Sequence, residues 1–167
     1  MRIVVVADTH LRRSWPNRRL PVAARTWLRT ADVVLHAGDI TQAEHLEDLA
    51  TYAPVHAVLG NNDPELADTL PETLELTLGG VRVGMIHDSG PARGRERRLH
   101  ERFPGCDVVV FGHSHIPWNG PGIDGQLLFN PGSPTERRRQ PHRTLGVLEV
   151  ADGEVTRASV EVVDDPV

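Results

Sequence analysis

The chain has a single cysteine, Cys106, which excludes an intrachain disulfide, a zinc ribbon and a redox cysteine pair. Its place just before an apolar run reads as that of a small packing residue. Long hydrophobic runs are also missing. The N-terminal stretch Ile3 to Ala7 is too short for the central region of a signal peptide, and no later segment reaches membrane-spanning length. The expectation is a soluble, cytoplasmic protein with no membrane partner. Lysine is absent, and all 18 basic residues are arginine. Coding bias in a GC-rich genome explains this more simply than selection for phosphate-gripping guanidinium groups. The formal net charge of -5 argues against general nucleic-acid binding, although Arg93, Arg95, Arg97 and Arg98 and then Arg137, Arg138 and Arg139 form clusters. Charged runs of this kind are usually solvated faces. No internal repeat, low-complexity tract or linker interrupts the chain, so residues 1–167 are expected to form one domain. A chain of this length can remove roughly two-thirds of its unfolded surface from water, with no need for a structural metal.

What the sequence does contain is five short polar islands, each directly after an apolar run. They are Asp8-Thr9-His10, Gly38-Asp39, Gly60-Asn61-Asn62-Asp63, His87-Asp88 and Gly112-His113-Ser114-His115. The runs before them, Ile3 to Ala7, Val33 to Leu35, Val55 to Leu59, Val81 to Ile86 and Val108 to Phe111, are short and β-branched, as buried strands are. Each island is then a loop at a strand's carboxyl end, where open α/β sheets collect their ligands.

Between the first two runs, Leu20, Ala23, Ala24, Trp27 and Leu28 fall at helical spacing behind Pro21. Thr41-Gln42-Ala43-Glu44 has the capping-box pattern, and a second helix is expected to follow it and end before Pro54. The opening is thus β-α-β-α-β, which favours a parallel sheet. Leu74, Leu76 and Leu78, the Gly79-Gly80 turn and Val81 to Ile86 predict a hairpin, and Arg95 to Phe103 predicts a third helix. Leu127 to Phe129, Thr144 to Val150 and Val155 to Val162 predict closing antiparallel strands, the last two joined at Asp152-Gly153.

The island residues suit a two-metal phosphoesterase. A carboxylate can bridge two ions about 3.5 to 4 Å apart, and Asp39 is placed for this. Asp8 and His10 can reach one ion together, Asn61 offers a neutral amide oxygen, and His87, His113 and His115 offer imidazoles. Mixed oxygen and nitrogen ligation suits Mn, Fe, Zn, Ni or Co better than calcium. Two divalent ions with two carboxylates and a bridging hydroxide keep a net positive charge, which would attract an anionic phosphate ester. Bound ions also lower the pKa of water far enough to supply hydroxide for in-line attack. His36 reads as a residue that orients the Asp39 loop. His45, His56, His100 and His142 lie outside the islands and read as surface or packing residues.

With these residues in place, the chain resembles the calcineurin-like metallophosphoesterase superfamily, in its small bacterial and archaeal phosphodiesterase branch. The match runs over Asp8-Thr9-His10, His36-Ala37-Gly38-Asp39, Gly60-Asn61-Asn62-Asp63, His87 and Gly112-His113-Ser114-His115. Asn130-Pro131-Gly132-Ser133 follows and is similar to a loop bordering the site in that branch. The resemblance implies an α/β fold, a four-layer αββα sandwich with two mixed sheets. It also implies that Asp8, His10, Asp39 and His115 hold one ion and that Asp39, Asn61, His87 and His113 hold the other. Two divalent ions are expected, Mn first, with Fe, Zn, Ni or Co as alternatives. The residues expected at the reaction are Asp39, Asn61, Asn62 and Asp63.

Asn62 departs from the family pattern. Many superfamily members have a histidine after the asparagine ligand, and the small branch often has a cysteine. Asparagine cannot act as a general acid, which points to substrates with good leaving groups or to help from metal and water. Asp63 is either a substitute acid or a turn carboxylate. His87 is followed by Asp88-Ser89-Gly90 where His-Gly-His is often seen. The expectation is a phosphodiesterase that uses metal-bound hydroxide on a small phosphate ester. The rivals are a scaffold without turnover, like the retromer subunit that resembles this family, and a nuclease resting on the arginine clusters. A homo-oligomer is compatible with the sequence.

Overall fold

The computed structural model describes residues 1–11 and 19–165. Two five-stranded sheets face each other. The first contains β1 (Arg2–Val6), β2 (Val33–His36), β3 (Val55–Ala57), β9 (Thr144–Ala151) and β10 (Glu154–Val162), in the order β10-β9-β1-β2-β3. The second contains β4 (Thr73–Leu78), β5 (Val81–Ile86), β6 (Val108–Val110), β7 (Trp118–Pro121) and β8 (Leu127–Asn130), in the order β4-β5-β6-β8-β7. Both sheets are mixed: β1-β2-β3 and β5-β6-β8 run parallel, and antiparallel strands flank them.

The unbroken apolar run of β1 follows from burial on both faces. Ile3, Val5 and Ala7 enter the core between the sheets with Val83, Met85, Val108, Val110 and Phe129. Val4 and Val6 face outward under α1 (Val22–Leu28) and α2 (Ala43–Ala50), against Ala24, Leu28 and Leu49. On the other outer face, Leu99 of α3 (Arg95–Arg102) and the following Phe103 pack on Val109, Phe111 and Leu128. The layers are therefore helix, sheet, sheet, helix. Cys106 is buried just ahead of β6, as a packing residue would be. No helix among the described residues is long and apolar enough to cross a membrane.

Three details differ from the sequence expectation. The Thr41 capping box does not form: the helix N-cap is Gln42, with no side-chain cap. Thr41 instead has φ +78°, and its hydroxyl donates to the Leu11 carbonyl at 2.5 Å while its N–H donates to Asp63 Oδ1 at 2.6 Å. The site loops take up this residue in place of the helix. Strand β7 lies at a sheet edge and contains Gly120 and Pro121, which remove the alternation that marks a strand in sequence. The run after Pro54 leaves the sheet at Ala57, so Val58 and Leu59 already belong to the loop that carries Asn61.

Candidate metal centre

Each island emerges at the carboxyl end of a strand: Asp8 after β1, Asp39 after β2, Asn61 after β3, His87 after β5 and His113 after β6. These loops must turn sharply to aim their side chains back over the sheet edge. Asp8, His10, Asp39, His113 and His115 all have positive φ, between 46° and 68°. A non-glycine residue held there costs about 1–3 kcal/mol, and such strain clusters at functional sites. Close approach fixes two glycines as well. A Cβ on Gly60 would sit 2.1 Å from Asp39 N and 2.3 Å from Asp39 Oδ1, and one on Gly38 would sit 2.6 Å from His87 Nδ1.

The seven side chains named as ligands converge. His10 Nε2 lies 3.3 Å from His115 Nε2 and 3.4 Å from Asp39 Oδ2, and His115 Nε2 lies 3.5 Å from Asp8 Oδ1. On the other side, Asn61 Oδ1 is 3.0 Å from His87 Nε2 and 2.9 Å from His113 Nδ1, and His87 Nε2 is 3.4 Å from Asp39 Oδ1. Asp39 thus turns one carboxylate oxygen toward each side. Asp8, His10 and His115 offer donor atoms within 4.8 Å of one another, as do Asp8, Asp39 and His87.

This donor set fits divalent cations. Metal–ligand bonds of about 2.0–2.2 Å put neighbouring donors about 3.0–3.5 Å apart, the spacing seen here. His87 Nδ1 donates to the Ala37 carbonyl at 2.7 Å and His115 Nδ1 to the Glu136 carbonyl at 2.6 Å, so both rings turn Nε2 lone pairs inward. Asp8 Oδ2 is buried with no hydrogen-bond partner among the described residues. Burial pushes the Asp8 carboxyl up to about 7 and the His115 imidazole down to about 4. Burial would also raise Asp39, but His87 beside it and hydrogen bonds from Asn62 hold it well below the usual carboxylate range. His87 shifts the other way: burial disfavours its charged form, yet Asp39 and Asp8 raise it. The pocket is built to receive positive charge.

Around the donors is a set of braces. Asp63 is fully buried, and its carboxylate accepts N–H bonds from Asp39 at 2.9 Å, Gly60 at 2.8 Å and Thr41 at 2.6 Å. That is the turn-carboxylate alternative, tying the loops after β2 and β3 together. Asn62 donates its backbone N–H to Asp39 Oδ1 at 2.8 Å and its side-chain amide to Asp39 Oδ2 at 2.7 Å. His36 is buried, with Nε2 3.0 Å from the Thr9 hydroxyl.

The Asn130-Pro131-Gly132-Ser133 loop braces the site from below. Asn130 donates to the Gly112 carbonyl at 3.0 Å, and Ser133 donates to the Asp8 carbonyl at 2.8 Å. Thr135 and Glu136 continue this contact and went unnoticed in the sequence, because a Thr-Glu pair after that loop carries no distinguishing pattern. Thr135 donates to the Thr9 carbonyl at 2.6 Å.

The remaining histidines lie elsewhere. His45 is buried edge-on against His36, His56 is in β3, His100 is 3.6 Å from Asp124, and His142 pairs with Asp164 at 2.8 Å. Of the first arginine cluster, Arg98 binds the carbonyls of Ser89, Pro91 and Arg93, and Arg97 pairs with Glu101. In the second cluster, the charge of Arg138 acts on both Asp8 and His115.

The family model for the calcineurin-like phosphoesterase superfamily domain matches residues 1–153. A relative named Probable metallophosphoesterase from Methanothermobacter thermautotrophicus is 35% identical over 166 residues, covering 96% of this chain and 91% of its own. Among solved structures, Vps29 of Entamoeba histolytica complexed with Zn2+ is 25% identical with a TM-score of 0.77, covering 98% of this chain and 99% of its own. An archaeal phosphodiesterase is 20% identical with a TM-score of 0.68, covering 96% of this chain and all of its own, and at that identity supports the fold alone. A matched region that holds every strand-end island and two sheets with this layering leads to one conclusion: the chain belongs to the calcineurin-like phosphoesterase superfamily.

Proposed function

We propose that the protein is a cytoplasmic, dinuclear phosphodiesterase acting on small phosphate esters, with Mn2+ as its preferred metal. The observation that carries this reading is the pair of donor groups meeting at Asp39, whose two oxygens lie 3.4 Å from His10 Nε2 and 3.4 Å from His87 Nε2. Asp8, His10, Asp39 and His115 would hold one ion, and Asp39, Asn61, His87 and His113 the other. Held there, a divalent pair would supply an activated water and polarise the phosphoryl oxygens.

The chain's own residues contribute position and charge. Asn62 and Asp63 fix Asp39 by hydrogen bonds to its side chain and backbone, so both serve placement of the bridging carboxylate. Neither points to a leaving-group acid, which favours esters whose leaving group departs without a proton. Asn61 and His113 are exposed, so this side would receive the phosphate.

The test is elemental analysis together with turnover of the Mn-loaded protein on an activated aryl phosphodiester and the matching monoester. Two ions per chain with faster cleavage of the diester support the proposal. Two ions without hydrolysis of any ester would make the protein a scaffold, and faster monoester cleavage would overturn the diester assignment.

A further inference from the structure

From the position of Glu136 we infer that its carboxylate is an additional metal ligand, completing the side of the centre that holds Asp8, His10 and His115. This inference rests on the metal-binding reading above. The backbone of Glu136 is fixed at both ends: its N–H donates to Ser133 Oγ at 2.9 Å, and its carbonyl accepts from His115 Nδ1 at 2.6 Å. Ser133 and Thr135 in turn bond the Asp8 and Thr9 carbonyls, so residues 133–136 are seated on the loop that carries Asp8 and His10. From that seat the side chain extends to His10, with Oε2 3.7 Å from Nε2.

That separation is too long for a hydrogen bond. It lies within a few tenths of an ångström of the spacing expected of two donors on one ion. The other atoms around the same nitrogen, His115 Nε2 at 3.3 Å and Asp39 Oδ2 at 3.4 Å, already have that spacing. The Glu136 side chain is about a third exposed, at 32%, so it lies at the rim of the centre beside His10. The sequence islands contribute two carboxylates and four imidazoles, a set that suits zinc as well as manganese. A third carboxylate moves the His10 side toward oxygen ligation and therefore toward Mn2+.

The test is calorimetric titration of metal-free protein with Mn2+ and with Zn2+, comparing wild type with Glu136→Gln and Glu136→Asp. Both variants keep the backbone carbonyl that orients His115, so the metal-free protein should still fold. Glu136→Gln is expected to weaken one Mn2+ site by roughly 10–100-fold, weaken Zn2+ less, and leave the other site unchanged. Glu136→Asp keeps the charge but is one methylene too short, so a ligand role predicts a similar loss. Unchanged Mn2+ affinity in Glu136→Gln, or full affinity in Glu136→Asp, would overturn the inference. Wild type binding a single ion would overturn the dinuclear reading instead, and the affinity for that ion would still test Glu136.

Discussion

The two sides of the metal centre differ in their access to water. Asp8, His10 and His115 are withdrawn from solvent, at 0%, 7% and 1% exposure, whereas Asn61 and His113 on the other side are exposed. A ligand lost from the closed side leaves a gap that solvent does not fill readily. On the open side, water can take its place. On the proposed two-ion reading, the closed side would retain its ion and the open side would exchange water for substrate. Asp39 belongs to both.

The largest effect should come from breaking both sides at once. Asp39→Asn is expected to lower turnover by at least about 10²–10³-fold and to reduce occupancy of both sites, because a neutral amide replaces a carboxylate that turns one oxygen toward His10 and the other toward His87. Elemental analysis and steady-state kinetics check it, and a variant with normal turnover and two ions would end the bridging assignment. Next in size is the contrast itself. His10→Gln and His115→Gln should lose roughly 10–100-fold more metal affinity than His113→Gln, measured by titration of metal-free protein. Equal losses would show that burial does not distinguish the two sides.

Gly60→Ala acts on the join between them. The added methyl would meet Asp39 N at 2.1 Å, so the carboxylate must shift, costing about 1–3 kcal/mol in denaturant unfolding and impairing both sites together. The smallest effect lies outside the centre. Burial holds His45 at about 4 against its ordinary 6.5, an effect that nearby Asp48 only partly offsets, and burial lowers His36 in the same direction. Between pH 6.5 and pH 4 the unfolded chain binds a proton that native His45 refuses, so its stabilisation is present above pH 6.5 and is lost as the pH falls toward 4. The loss for His45 is about 3 kcal/mol at most. His45→Leu should flatten the stability profile in that window while leaving metal content intact.

The closed side was the more legible in sequence. Asp8-Thr9-His10 and His113-Ser114-His115 stand directly after fully buried runs, and a β-branched run covered on both faces leaves little doubt about where its strand ends. Alternation and helical spacing located both hairpins and all three helices, although α2 ends at Ala50, well short of Pro54. What stayed hidden depends on contacts between distant loops. Thr41 carries a helix-capping signature, but Asp63 and Leu11 claim its N–H and hydroxyl, and no local pattern could show that. Asn62 follows a ligand and therefore read as a residue facing substrate; its amide turns back onto Asp39. Glu136 was invisible because its role depends on a carbonyl that His115 uses and on a loop seated 126 positions away, from Thr135 to Thr9.

The proposed ligands also divide between the two sheets. Asp8, His10, Asp39 and Asn61 leave the first sheet, and His87, His113 and His115 leave the second. Ions at this edge would stitch the halves of the sandwich along one seam. At the far edge the Gly79-Gly80 turn approaches Val150 and Gly153 closely enough that an added Cβ would meet them at 2.9 Å. Stripped of its ions, the molecule should open like a book along its spine: amide exchange would quicken at the carboxyl ends of β1, β2, β5 and β6, while the β4–β5 turn stays shut.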